Sequence, residues 1–211
     1  MNRTKIEWCD YTINPIKGLC KNDCWYCYAI RMYKRFGWNP EIRWDSDIFY
    51  DLEKIKKPSK IFVGSTHEIF GDWIPKKWVN EILFHIYALP SYHTFIFLTK
   101  FPQRYQDFIF PKNCWLGTTI TGKEKNQSHI HGSFSGMDNI KFISYEPLLS
   151  EPEPITKYLS LDWIIIGGLT PKPVHKKEWV QNIINQAMEL NIPIFLKDNL
   201  KWKEKIQEFP N

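Results

Sequence analysis

The chain has 211 residues, with 28 Lys and Arg against 23 Asp and Glu, a formal net charge of +5 and five cysteines. With 43% hydrophobic and 16% aromatic residues it has the material for a packed core, which excludes intrinsic disorder. Its apolar runs fall far short of the ~20 residues of a bilayer span, and Met1–Trp8 lacks the apolar core of a secretion signal. A cytoplasmic single domain over residues 1–211 is therefore expected.

Taken in chain order, Ile6–Ile13 alternates loosely and reads as a first strand. Cys27–Phe36 has helical character and stops at Gly37, a natural residue for a helix end. Residues 38–59 read as an irregular insertion with a short helix around Phe49–Lys56. Lys60–Gly64 makes a strand, and Pro75 opens a helix over Lys76–Ala88 with Trp78, Val79, Ile82, Leu83 and Ile86 on one face. Thr94–Leu98 is a strand and Gln103–Phe110 is helical. Trp115–Ile120 and Ile140–Ile143 are strands, and Trp163–Ile166 is an apolar run suited to burial on both faces. An amphipathic helix over Lys176–Leu190, a strand at Ile192–Leu196 and a closing helix at Lys201–Glu208 complete the chain.

Strand and helix alternate six or seven times, which implies parallel strands joined by helical crossovers. A complete eight-fold barrel takes about 250 residues. The expected fold is therefore α/β, a partial (β/α)6–7 TIM-like barrel, with a doubly wound sheet as the alternative. Polar residues or glycines recur where the strands end: Ser65-Thr66-His67-Glu68, Thr99-Lys100, Thr118-Thr119, Ser144 with Glu146, Gly167-Gly168 and Lys197-Asp198. In parallel α/β folds ligands bind at that edge, so one shared pocket is expected there.

Three of the five cysteines crowd into eight residues of the loop spanning 14–27: Cys20, Cys24 and Cys27, spaced C-x3-C-x2-C. An odd count argues against a disulfide scaffold. A structural zinc site wants four ligands, commonly two pairs; here Cys9 and Cys114 are single, and the nearest histidine in sequence is His67. Three thiolates on one loop can instead hold three irons of a cubane, whereas electron-transfer clusters ordinarily take four cysteines. The fourth iron then keeps an open position. Zinc or a closed cluster in a binding module, and an electron-transfer protein, are the competing readings.

This spacing after a first strand, with Tyr26 before the third cysteine, resembles the cluster motif of radical S-adenosylmethionine enzymes. More narrowly, Thr4-Lys-Ile-Glu-Trp8, Asn14-Pro15, Gly18, Cys27-Tyr-Ala29, Phe97-Leu-Thr-Lys100, Trp115-Leu-Gly117, Ser144–Leu149, Asp162-Trp163 and Phe195-Leu-Lys197 are similar to a small bacterial, archaeal and phage family of such proteins. That family is distantly like the lyases that reverse thymine photoproducts. Two departures stand out. Leu169-Thr170-Pro171 follows Gly167-Gly168 where the family has Glu and Ser, and Leu19 keeps the cysteine loop compact.

The resemblance implies that Cys20, Cys24 and Cys27 ligate a [4Fe–4S] cluster whose open iron chelates S-adenosylmethionine. A one-electron donor of the flavodoxin or ferredoxin type would reduce it, and the resulting 5′-deoxyadenosyl radical would abstract hydrogen from a substrate such as a nucleic acid or nucleotide. By the same analogy Tyr26 contacts adenine, Gly64, Ser65 and Thr66 receive the methionine amino group, and Thr118 and Thr119 suit the ribose. Ser144 and Glu146 offer further contacts, and Gly167 and Gly168 allow close backbone approach. Glu146, Lys100 and His67 are the candidate catalytic groups, Lys197 a candidate anion binder. The bland readings stand beside these: a lysine at a strand end is usually paired or solvated, and His67 is equally a satisfied loop residue. Cys9 and Cys114 read as packing residues. Trp78, Trp163 and Trp179 belong to the core, while Trp25, Trp38, Trp44 and Trp73 lie in loops where bases could stack.

Overall fold

A computed structural model describes residues 3–123, 128–155 and 160–211. Met1 and Asn2, which open the segment read for a secretion signal, lie outside the described residues. Packing groups the chain into two compact units, Met1–Phe101 with Asp107–Trp115, and Pro102–Gln106 with Leu116–Asn211.

The first unit contains β1 (Tyr11–Ile13), β2 (Ile16–Lys17), α1 (Tyr28–Phe36), β3 (Arg43–Trp44), α2 (Ile48–Leu52), β4 (Lys60–Val63), α3 (Lys76–Ala88) and β5 (Thr94–Thr99). β1, β4 and β5 are parallel, with Ile13 opposite Val63 and Val63 opposite Phe97. Ile61, Phe62, Val63, Phe95, Ile96 and Phe97 are all buried, as strands covered on both faces must be. α3 buries Val79, Ile82, Leu83 and Ile86 at helical spacing. Trp78 departs from the expected core face and is half-buried beside Trp44, ring centres 6.1 Å apart.

The first strand is shorter than the expected Ile6–Ile13. Before it the chain turns, with the Cys9 N–H donated to the Ile6 carbonyl at 3.3 Å and the Thr4 N–H to the Asp10 carbonyl at 3.0 Å. The turn sets Trp8 down on Phe62, ring centres 4.8 Å apart, a burial that an extended Ile6–Cys9 would not give it. The expected helix Gln103–Phe110 is a 3-10 segment, Pro102–Asp107.

The second unit holds most of β6 (Cys114–Thr119), then α4 (Ser128–Ser133), β7 (Ile140–Tyr145), β8 (Trp163–Ile166), α5 (Lys177–Glu189) and β9 (Ile194–Leu196). β7, β8 and β9 are parallel, with Tyr145 opposite Ile166 and Ile166 opposite Leu196. α5 buries Val180, Ile183, Ile184 and Ala187 against Ile143, Tyr145, Ile164, Ile166 and Leu196. The strand order β1-β4-β5-β6-β7-β8-β9 follows the chain. That is the winding of a partial TIM-like barrel; a doubly wound sheet would reverse direction part-way. Among the described residues no helix is long and apolar enough to cross a membrane.

One expected element is absent. Residues 201–208 do not form a helix but run antiparallel beside β9, with the Leu196 N–H donated to the Ile206 carbonyl at 2.7 Å and the Glu208 N–H to the Ile194 carbonyl at 2.9 Å. The edge of β9 offers backbone partners that a surface helix would leave unused. Phe209 then stacks on Trp163 at 5.3 Å and meets Phe195 edge-on, while the Trp163 Nε1–H is donated to the Glu208 carbonyl at 2.8 Å. Phe209→Ala should lower unfolding stability by about 2 kcal/mol, less than a fully buried Phe because the ring is half-exposed. Urea denaturation checks this; an unchanged midpoint would mean that the tail does not close the edge.

Candidate functional site

In the first unit the loop of residues 14–27 is built from both ends. β2 pairs antiparallel with β3, Ile16 opposite Trp44, so the segment read as an irregular insertion supplies the partner strand for the cysteine loop. The Leu19 N–H adds a bond to the Pro40 carbonyl at 2.8 Å, and Asp45 to the Pro15 carbonyl at 2.8 Å. Gly18 sits between, with φ +104°. A Cβ there would lie 2.3 Å from the Glu41 carbonyl oxygen, which leaves only glycine for the position. Its N–H is donated to the Tyr33 hydroxyl at 2.7 Å, and its carbonyl lies 3.1 Å from His67 Nδ1.

His67 is 5% exposed, and burial lowers its pKa, so the ring is neutral with its Nδ1–H directed at Gly18. Its Nε2 is buried without a hydrogen-bond partner. Its Nδ1 contact with Gly18 ties the residue after β4 to the cysteine loop.

The three cysteines are half-buried. The Cys20 sulfur accepts the Asn22 backbone N–H at 3.4 Å and a second backbone bond from Glu68, while the Asn22 side-chain amide reaches the Cys24 sulfur at 3.3 Å. Burial pushes the Cys20 thiol up to about 11. The Cys27 N–H is donated to the Cys24 carbonyl at 2.9 Å, and Cys27 caps α1. Among the described residues, no three His, Cys, Asp or Glu side chains stand close enough to hold one metal ion. The donor set nevertheless suits an iron–sulfur cluster, in which each thiolate takes a different iron and the ligands stay apart. Backbone N–H groups aimed at sulfur suit it further, because they stabilise thiolate charge.

Around the loop, the ends of β1, β4 and β5 are stitched by side chains. Asn14 accepts the Thr66 N–H at 2.9 Å and bonds the Ser65 hydroxyl at 3.1 Å. The Tyr28 hydroxyl is donated to the Ser65 carbonyl. The Glu68 carboxylate accepts the Thr99 hydroxyl at 2.6 Å, the Lys100 N–H at 2.9 Å and the Phe70 N–H at 3.1 Å. Burial still holds that carboxyl above the usual carboxylate range. Gly64 ends β4 against Ile69, and Lys100 Nζ lies 5.6 Å from the centre of the Tyr26 ring. Cys20, Cys24, Cys27, Tyr26, Gly64, Ser65, Thr66, His67 and Lys100 therefore gather in this unit.

In the second unit, the remaining candidates lie at or near the ends of β6 to β9. Lys197 and Glu146 form an ion pair. A Cβ on Gly167 would lie 2.8 Å from the Glu146 carboxyl carbon, so the glycine makes room for that side chain. Gly168 is clasped by Asn199, which accepts its N–H at 3.0 Å and donates to its carbonyl at 2.8 Å. Ser144 is fully buried, and its hydroxyl has no hydrogen-bond partner among the described residues. Thr118 is buried and Thr119 half-exposed. Cys114 is buried, with its thiol pushed far up, and Cys9 is buried as well, in keeping with packing roles.

A family model described as a protein of unknown function, DUF5131, matches residues 3–209. The chain belongs to the DUF5131 family. Comparison with curated proteins and with solved structures returns no match.

Sequence reasoning about this DUF5131 chain missed Asn14 and Asn22 as organisers, and it placed Glu68 at a strand end without a role. Asn14 sits before Pro15, a pairing that marks a turn. Asn22 lies between two cysteines, where a side-chain amide can reach either sulfur. Among the loop tryptophans, Trp25 is 70% exposed, whereas Trp44 packs on Phe49 and Trp78 and Trp73 on Phe101.

Two outcomes follow from this geometry. Gly18→Ala should cost about 3 kcal/mol of unfolding stability, since both the left-handed φ and the Glu41 contact oppose a side chain; retention of the wild-type urea midpoint would refute the account. For His67, the unfolded state gains a proton near pH 6.5 and the folded state does so only at lower pH. Its stabilisation is therefore complete above about pH 6.5 and is lost as pH falls toward the lowered folded value. The melting temperature of wild type should exceed that of His67→Gln by more at pH 7.5 than at pH 5.5. An equal difference at both values would contradict a buried neutral ring.

Proposed function

We propose that the chain is a radical S-adenosylmethionine enzyme in which Cys20, Cys24 and Cys27 hold a [4Fe–4S] cluster. The observation that carries this reading is the Cys20 sulfur, which takes backbone N–H groups from Asn22 and Glu68 in a loop braced by Gly18. Burial disfavours the thiolate, and these two amides offset part of that cost, as an iron ligand requires. Held by Cys20, Cys24 and Cys27, such a cluster would supply one-electron reductive cleavage of S-adenosylmethionine as the source of a hydrogen-abstracting radical.

The chain's own residues hold, orient and shield. Because burial raises the Cys20 thiol to about 11, iron must displace a proton to bind, and loading is favoured as pH rises. Lys100, beside the Tyr26 ring, presents a cation next to the loop and suits a carboxylate such as that of methionine. Gly64, Ser65 and Thr66 follow β4, and the Thr66 side chain brings a hydroxyl suited to an ammonium. In the second unit Glu146, ion-paired with Lys197 and lying beside Gly167, offers a carboxylate able to accept a hydrogen bond. The reductant would be a one-electron donor of the flavodoxin or ferredoxin type, and the setting cytoplasmic.

Anaerobic reconstitution with iron and sulfide tests the reading. About four irons per chain are expected, together with 5′-deoxyadenosine formed from S-adenosylmethionine under dithionite. Cys24→Ala should lose both. Stoichiometric zinc in place of iron, or S-adenosylmethionine left intact by a reduced cluster, would overturn it.

A further inference from the structure

We propose that the outer face of α1 and the turn after it bind single-stranded nucleic acid. This deepens the function proposed above by naming a substrate or guide chemistry, but the binding itself stands on charge and aromatic placement and needs no cluster.

The segment around α1 carries a basic surplus. Between Lys17 and Arg43 lie six basic and two acidic residues, out of a net +5 for the whole chain. Arg31, Lys34 and Arg35 are exposed and fall at i, i+3 and i+4 on α1, so they share one face. None of the three is ion-paired among the described residues, in contrast to Lys17, which is held by Asp45 at 3.4 Å. Asp23 and Glu41, the two acids of the stretch, lie in the flanking loops and not on this helix. A row of uncompensated cations at this spacing suits successive phosphates.

The same segment exposes its aromatic rings. Phe36 is 54% and Trp38 43% exposed, and the two rings stack at 5.3 Å with 23° between their planes. Arg35 lies over the Phe36 ring at 5.3 Å. The stack is fixed from behind. Gly37 takes the left-handed conformation that ends α1, and the Trp38 N–H returns to the Tyr33 carbonyl at 3.2 Å. Trp38 then meets the buried Tyr33 edge-on, and the Tyr33 hydroxyl accepts the Gly18 N–H. A rigid, solvent-facing aromatic pair beside unpaired cations is the composition of a base-stacking platform. A merely solvated helix end gains nothing from showing two large rings to water.

At the other end of α1 the exposed Tyr28 follows Cys27 directly. α1 spans about 13 Å, so a strand lying along it would have one end at the cysteine loop. Only this last step rests on the enzyme reading.

The test uses the metal-free full-length protein and a fluorescein-labelled 12-residue oligothymidylate, read by anisotropy across 25–200 mM salt. Wild type should bind, and Phe36→Ala should weaken binding about tenfold. The triple variant Arg31→Gln, Lys34→Gln, Arg35→Gln should flatten the plot of log affinity against log salt by about 2. All substituted side chains are exposed, and circular dichroism melting confirms folding. The proposal fails if the oligonucleotide does not bind, if the variants bind like wild type, or if duplex DNA binds as tightly as the single strand. It also fails if anionic phosphatidylserine vesicles bind with the same loss in Phe36→Ala, which would make the surface a membrane contact. Binding by metal-free protein that yields no 5′-deoxyadenosine once iron is supplied would sustain this surface and sink the enzyme reading instead.

Discussion

The backbone of Gly18 is the constraint on which the candidate site depends. Its N–H, its carbonyl and the space where a side chain would stand are each claimed by a different part of the first unit: Tyr33 on α1, His67 after β4, and Glu41 before β3. One residue thus fixes the cysteine loop relative to a helix, a strand end and a hairpin. Loops that must hold a reactive group cannot rely on their own short-range bonds, because those alone leave too many conformations open. Here three long-range contacts converge on a residue two positions before Cys20.

That bracing changes what the sulfur experiences. A half-buried thiol is neutral at pH 7, and burial alone drives Cys20 further that way. The amides of Asn22 and Glu68 act in the opposite sense, since they are satisfied best by a charged acceptor. Glu68 is doubly committed. Its backbone serves the sulfur while its carboxylate collects the Thr99 hydroxyl and the Lys100 and Phe70 amides. The carboxylate therefore ties the end of β5 to the residue that supports Cys20. Moving Glu68 would therefore disturb both ends at once.

Much of this was legible in sequence, and the failures have local causes. The strands at Lys60–Val63, Thr94–Thr99 and Trp163–Ile166 announce themselves because a continuous apolar run has few alternatives. α3 and α5 do so by period, though Trp78 shows that period assigns a face and not a depth. The closing segment Lys201–Glu208 is no helix because the hydrogen-bonding edge of β9 captures it, and that edge is invisible in a local window. The role of β3 was equally hidden. Two residues pairing across more than twenty positions leave no periodic trace, yet they hold the loop that the cysteines announced. Spacing drew attention to the three cysteines; only the fold shows what holds their loop.

The charge of +5 follows the same logic. Counted over 211 residues it is a weak surplus, and a solvated surface accounts for it. Placed on the structure, three of its cations, Arg31, Lys34 and Arg35, share the exposed face of one short helix whose opposite face is occupied by Ala29 and Tyr33 in the core. The same helix is capped by Cys27 at one end and by Gly37, which turns Trp38 back onto Tyr33, at the other. Burial of Tyr33 thus does two things: its hydroxyl steadies Gly18 and its ring steadies the exposed stack. The cysteine loop and the basic aromatic face thus meet at a single buried tyrosine.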